Sequence, residues 1–180
     1  TGSSIRTQST LAGGGNALTI AGAADIDGDY TGLSSLSISG AADLGANIST
    51  TGTQTYSGAV TLSGGDRTLT TSNSNVTFGS TVNSAPNTNF SLTIADSGAT
   101  TLGGAIGGSR ALSSLTVGST NGTTFNGGTI DTTGAQTFSN ALTLGAGTTL
   151  TGNTINLAST VNSAPNTNVS LTIADSGSTT

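Results

Sequence analysis

Nine times along this chain two apolar residues flank a single small polar one. The pairs are Leu18/Ile20, Leu36/Ile38, Val60/Leu62, Val76/Phe78, Leu92/Ile94, Leu115/Val117, Leu142/Leu144, Ile155/Leu157 and Leu171/Ile173. Successive side chains of an extended strand point to opposite faces, so this two-residue alternation is a strand signature. The middle residue is threonine in seven cases (Thr19, Thr61, Thr77, Thr93, Thr116, Thr143, Thr172), Ser37 and Asn156 being the others. Apolar residues at helical spacing are lacking. The pattern predicts an all-β chain with the seven threonines in one outward column.

How the strands are joined is read from repeats. The stretch STVNSAPNTN stands at 80–89 and again at 159–168, and both copies continue, after Phe90 or Val169, as SLTIADSG. ISTTGTQTYSGAVTL (48–62) answers to IDTTGAQTFSNALTL (130–144), and LSSLSI (33–38) to LSSLTV (112–117). A shorter period pairs IAGAADI (20–26) with ISGAADL (38–44). Nested periods of about 80 and about 20 residues are the mark of a stacked repeat architecture. An antiparallel sandwich would alternate strand directions through hairpins, whereas the same strand–turn–short-strand order here recurs. The expectation is a parallel β-solenoid of about nine rungs of roughly 20 residues, one segment over 1–180. Its units lie at approximately 48–129 and 130–180 (partial), with 1–47 the end of a preceding copy.

Lone apolar residues after the pairs (Ile26, Leu44, Leu69, Leu102, Phe125, Leu150), then Tyr30, Ile48, Ile106, Ile130 and Ile155, supply further inward positions. Val82 and Val161 are expected inside, each before a proline-bearing turn. Turns need Gly or Asn where φ is positive. Such a unit cannot bury its apolar stripe alone, so a rod lengthens by copying turns, which accounts for the duplicated decapeptide.

Thr, Ser, Gly and Asn make up 106 of the 180 positions, and the only charges are eight Asp and three Arg. Disorder driven by composition needs high net charge, and −5 is low. The chain lacks Cys, so neither a disulfide framework nor a thiolate metal site can form. With three cations it is unsuited to nucleic acid, whose binding relies on cations meeting phosphates. No apolar run approaches the roughly 20 residues of a membrane span. Thr1 opens in the middle of a repeat, which reads as a section of a longer protein.

The stretch TTGAQTFSNALTLGAGTTLTGNTINLASTVN (132–162), with SLTIADSG and SGAADLGANI, resembles the repeat regions of filamentous-haemagglutinin-like exoproteins and autotransporter-type adhesins of Gram-negative bacteria. The resemblance covers essentially the whole chain. It implies a right-handed parallel β-helix that is exported and stands at the cell surface or is released from it. The role it implies is a structural or adhesive stalk or filament segment. Expected partners are further copies, through the rod's ends or lateral faces, and glycans or proteins of a host or neighbouring cell.

Three kinds of chemistry compete with that role. Parallel β-helices can be carbohydrate-active enzymes, but acid/base or nucleophilic machinery draws on perturbed carboxylates, His, Cys or Lys. Here only Asp and Arg remain. Asp66 beside Arg67 reads as a turn pair, and Asp96 and Asp175 hold one repeat position, so no catalytic residue and no cofactor is expected. The cluster Asp25, Asp27, Asp29 has the alternation of a calcium loop, but its glycine falls at the fourth position and no glutamate follows at the twelfth, unlike the EF-hand pattern, and it is a weak calcium candidate. The threonine column is the candidate ice- or surface-binding face, and that is the second reading of the chain.

Overall fold

A computed structural model describes residues 4–72 and 74–180. Among these every regular element is a strand, every ladder is parallel, and the chain winds into a β-solenoid of about nine turns. Each turn lays down three short strands, so the rod has three faces. Turn 2 is typical: Ala23–Ile26 on the first face, Tyr30–Leu33 on the second and Ser35–Ile38 on the third. Turn 6 departs from this, touching the first face only through bridges at Ile106 and Leu112. In turns 8 and 9 the strands Thr148–Leu157 and Leu171–Thr179 run unbroken from the first face onto the second.

Register stacks like on like. On the first face Ile5, Ala24, Ala42, Val60, Val82, Ile106, Ile130, Leu150 and Ile173 form one inward file. On the second face the file is Leu11, Tyr30, Ile48, Leu69, Ile94, Val117, Phe138 and Leu157. On the third, Ile20, Ile38, Tyr56, Phe78, Leu102, Phe125 and Leu144 stack. Tyr56 and Phe78 lie ring on ring with centroids 5.0 Å apart. All eleven lone apolar residues expected inside are buried, as is Val82. With strands about 4.8 Å apart, nine turns give a rod roughly 40 Å long.

Corners explain the glycine content. Between the third face and the first, Gly40 sits over Gly22, Gly58 over Gly40, Gly104 over Ser80 and Gly127 over Gly104. A Cβ at any of these four would fall within 2.0–2.5 Å of the turn beneath, closer than real contacts allow. The duplicated loop carries its own backbone signature: Asn87 and Asn166 take φ of 61° and 62°, the left-handed region that Asn tolerates.

The nine apolar pairs do not stand one per turn. Turn 4 has two of them, Val60/Leu62 on the first face and Val76/Phe78 on the third, while turn 3 has none. Turn 3 closes instead with Ala42, Thr50, Gln54 and Tyr56 facing inward. The long repeat is also out of phase with the turns. Gln54–Tyr56 lies on the third face of turn 3, and its copy Gln136–Phe138 on the second face of turn 7. That is four turns less one face, or eleven strands. Likewise Val82–Ser84 occupies the first face and its copy Val161–Ser163 the third. Each unit therefore enters the rod rotated by one face.

Candidate functional site

The seven middle threonines do not form a single column, because the strands that carry them belong to different faces. Thr19, Thr77 and Thr143 lie on the third face, Thr93 and Thr116 on the second, Thr61 and Thr172 on the first. The continuous outward file lies on the third face and reads Thr19, Ser37, Thr55, Thr77, Thr101, Thr124, Thr143, Asn162. A second file on the second face reads Thr68, Thr93, Thr116, Thr137, Asn156. Alternation fixed which side chains point out, but the length of each corner decides which strand stacks on which.

Of the three clustered aspartates only Asp25 lies in a strand, Ala23–Ile26, while Asp27 and Asp29 stand on either side of Gly28 in the corner that follows. Arg6, in register with Asp25, reaches that carboxylate at 3.1 Å and Asp27 at 2.9 Å. Asp29 accepts the backbone N–H of Asn47 at 2.8 Å. Among the described residues no group of three or more His, Cys, Asp or Glu is placed to hold a metal ion. The cluster is held by an arginine and a turn contact.

Asp66 and Arg67 also part company. Asp66 is exposed and accepts the N–H of Ser91 at 2.8 Å, whereas Arg67 points inward in register with Leu92. Its Nε donates to Gly65 O at 3.1 Å, and burial lowers its pKa.

Polar residues with unusual environments line the corners of the rod, Gln54 that between the second and third faces and its copy Gln136, rotated by one face, that between the first and second. Gln54 is fully buried, its Nε2 reaching Ile48 O, Thr50 Oγ1 and Thr70 O at 3.3, 3.3 and 2.8 Å. Tyr56 donates its hydroxyl to Gln54 Oε1 at 2.9 Å. Gln136 repeats the arrangement one unit on, at 3.2, 3.3 and 2.8 Å to Ile130 O, Thr132 Oγ1 and Thr151 O. Phe138 stands where Tyr56 does and offers no hydroxyl, so Gln136 Oε1 is buried without a partner. A buried acceptor left unpaired costs about 1–3 kcal/mol. Phe138→Tyr should therefore stabilise the chain by about 1 kcal/mol and Tyr56→Phe should destabilise it by a similar amount. Urea midpoints of the two variants would check this, and midpoints that moved in one direction would refute it.

Asp96, two residues beyond Ile94, lies in the corner between the second and third faces. It is 3% exposed, and neither its carboxylate oxygens nor the Thr100 hydroxyl has a hydrogen-bond partner. Burial pushes its carboxyl above the ordinary aspartate range. In the copy, Asp175 is satisfied: Thr179 Oγ1 donates to it at 2.9 Å and Gly177 N at 2.9 Å. A raised folded-state pKa means the folded chain holds that proton more tightly than the unfolded one. The penalty is absent below the ordinary aspartate pKa of about 4 and grows as pH rises through the folded value. Asp96→Asn should gain at least about 1 kcal/mol over the parent at pH 7 and little at pH 4, read from unfolding midpoints at both. A variant weaker than the parent at pH 7 would contradict this account.

Two of the depressions formed by the described residues are shallow. One, of about 200 Å³, lies on the second face against Asp29, Tyr30, Asn47, Ile48 and Thr68. The other, of about 330 Å³, lies between Asn83, Ala105, Ser109 and Thr129 on the first. The first holds a single carboxylate and the second none, so neither pairs two acids, and Asp96 opens into neither. No helix among the described residues is long and apolar enough to cross a membrane. No family model, curated protein or solved structure matches the chain.

Proposed function

We propose that this chain is a rigid, non-catalytic stalk or filament segment of a secreted bacterial surface exoprotein, acting outside the cell by reach and repeated surface. The observation that supports this best is the one-face rotation of the duplicated unit. A sequence that fits on one face in its first copy and on another in its second is free to be added in any number without breaking the inward files. A catalytic solenoid needs one fixed groove, and the duplication offers none. The ice-binding reading draws on the third-face hydroxyl file, which is a single rank flanked by small mixed residues such as Gly79, Gly103 and Asn126.

Length is then the selected property. Chains with one, two or three added units, anchored at one end and tagged at the other, should raise the tag by about 18 Å per unit, eleven strands at a third of 4.8 Å each. Atomic force microscopy on anchored chains reads that height. A height that ignores unit number, or release of sugar ends from a polysaccharide panel by the purified chain, would overturn the reading.

A further inference from the structure

Four buried side-chain oxygens among the described residues have no hydrogen-bond partner, and three of them share one corner in the middle of the rod. They are both carboxylate oxygens of Asp96 and the hydroxyl of Thr100, at the bend between Leu92–Ala95 on the second face and Thr100–Leu102 on the third. The turns above and below show what that position holds elsewhere. Thr71 stands two residues beyond Leu69, which is in register with Ile94, and Ser119 two beyond Val117, the partner of Ile94 on its other side. Thr71, Asp96 and Ser119 are thus one inward file, with Thr50 continuing it below Thr71. Each of the other three donates its hydroxyl to a carbonyl of its own corner: Thr50 to Gly52 at 2.6 Å, Thr71 to Ser74 at 2.5 Å and Ser119 to Gly122 at 3.1 Å. Ser119 also pairs with Thr123, four residues on, at 3.1 Å. Three and four residues beyond Asp96, the counterparts of Gly122 and Thr123 are Ala99 and the unpartnered Thr100.

An ionised carboxylate has no hydrogen to give, so at this position it cannot do what its neighbours do. A single proton completes the corner. The acid O–H donates to Ala99 O, as the neighbouring hydroxyls donate to their carbonyls, and the second oxygen accepts from Thr100. No other charge intervenes. Asp96 is the only titratable residue between Arg67 and Arg110, and 111–130 contain none. Arg67 is the one charged residue on the strands packed above and below the corner. It stands at the far end of Arg67–Thr71, in register with Leu92 and turned to Gly65 O. Burial in this neutral setting favours the protonated acid.

We propose that the Asp96 corner is a pH-operated latch in the middle of the rod, closed while the carboxyl shares a proton with Ala99 O and opened to water when that proton leaves. Three bonds to backbone N–H groups cross the corner to the adjacent turns. They run from Val76 N to Ala99 O at 3.2 Å, from Ala99 N to Asn75 Oδ1 at 2.9 Å and from Asn121 N to Gly98 O at 2.8 Å. Opening releases them and loosens turn 5 from turns 4 and 6 at that corner. The latch rests on stacking inside the rod and is independent of the stalk reading.

Amide exchange of the 180-residue chain between about pH 4 and 8, corrected for the intrinsic rate at each pH, reads the opening directly. The closed corner holds its proton more tightly than the open one, so closing is favoured most below the ordinary aspartate value of about 4. Protection of Val76, Ala99 and Asn121 should fall by up to about tenfold per pH unit above that value, then level off once the closed corner ionises as well. Ala24 N, bonded to Ala41 O in turn 3, and Ser139 N, bonded to Val117 O, should hold steady. Asp96→Ser gives turn 5 the side chain of turn 6 and should keep the three amides protected at every pH. Asp96→Asn, which donates without ionising, should do the same and decides alone if the serine variant misfolds. Parent protection that is flat across the range, a slope that survives in either folded variant, or one shared by Ala24 and Ser139 would each overturn the proposal.

Discussion

Leu144→Asp should detach the last three turns of the rod. Leu144 is 2% exposed on the third face, stacked between Phe125 and Ser163 in the inward file. Replacing it deletes a core side chain and puts a carboxylate among apolar neighbours with no cation at hand. Losing a buried leucine costs about 2–5 kcal/mol and burying an uncompensated carboxylate costs more, so this is among the largest single-residue effects available to the chain. The loss is local at first because each turn touches only its neighbours. Turns 1–6 keep their own stacked files, while the last three open together. Amide exchange should show protection lost beyond about residue 130 and retained before it. Thr143→Asp, one residue away, is the contrast: Thr143 faces out between Thr124 and Asn162, with no acid above or below. It should change stability by less than about 1 kcal/mol. Equal damage from both substitutions would mean that the strand has no inside and outside.

The difference between those neighbours was legible in the sequence, and so was most of what alternation governs. Ile26, Leu69, Phe125 and Leu150 face inward as the period-two pattern requires, and the asparagine of each Pro-Asn turn takes the positive φ expected of it. Alternation is a local property of a strand, which is why it reads out directly. The number of strands per turn is not local. Nine apolar pairs suggest one pair per turn, yet the three strands of a turn carry interchangeable side chains, and Thr50, Gln54 and Thr100 hold core positions that resemble surface ones. These residues are legible only through their partners: Gln54 is tolerable inside because Tyr56 and two carbonyls meet it. The one-face rotation of the unit was out of reach for the same reason, since it depends on the summed length of eleven corners. The threonine column dissolved with it.

Removing one whole unit should leave a folded, shorter rod. Deleting residues 80–158 takes out 79 residues and joins Gly79 to Ser159, leaving 101. Ser159 then begins the same STVNSAPNTN that Ser80 began, so nothing changes locally at the junction. Globally everything after it moves. Val161, on the third face of the parent, would land on the first face above Val60, where Val82 had been. Leu171 and Ile173, from the first face, would land on the second above Arg67 and Leu69, as Leu92 and Ile94 had done. Eleven strands disappear, and the product has five turns in place of nearly nine. Stability should fall, because a solenoid's stability sums over its turns and their interfaces, but the β spectrum per residue and a cooperative transition should survive. Equal-sized excisions that do not end on matching repeat positions would join an inward residue to an outward one and turn the following strand inside out. A molten or aggregated product from 80–158 would show that the three faces are not interchangeable, and the ability to lengthen by copying would then have to come from whole turns alone.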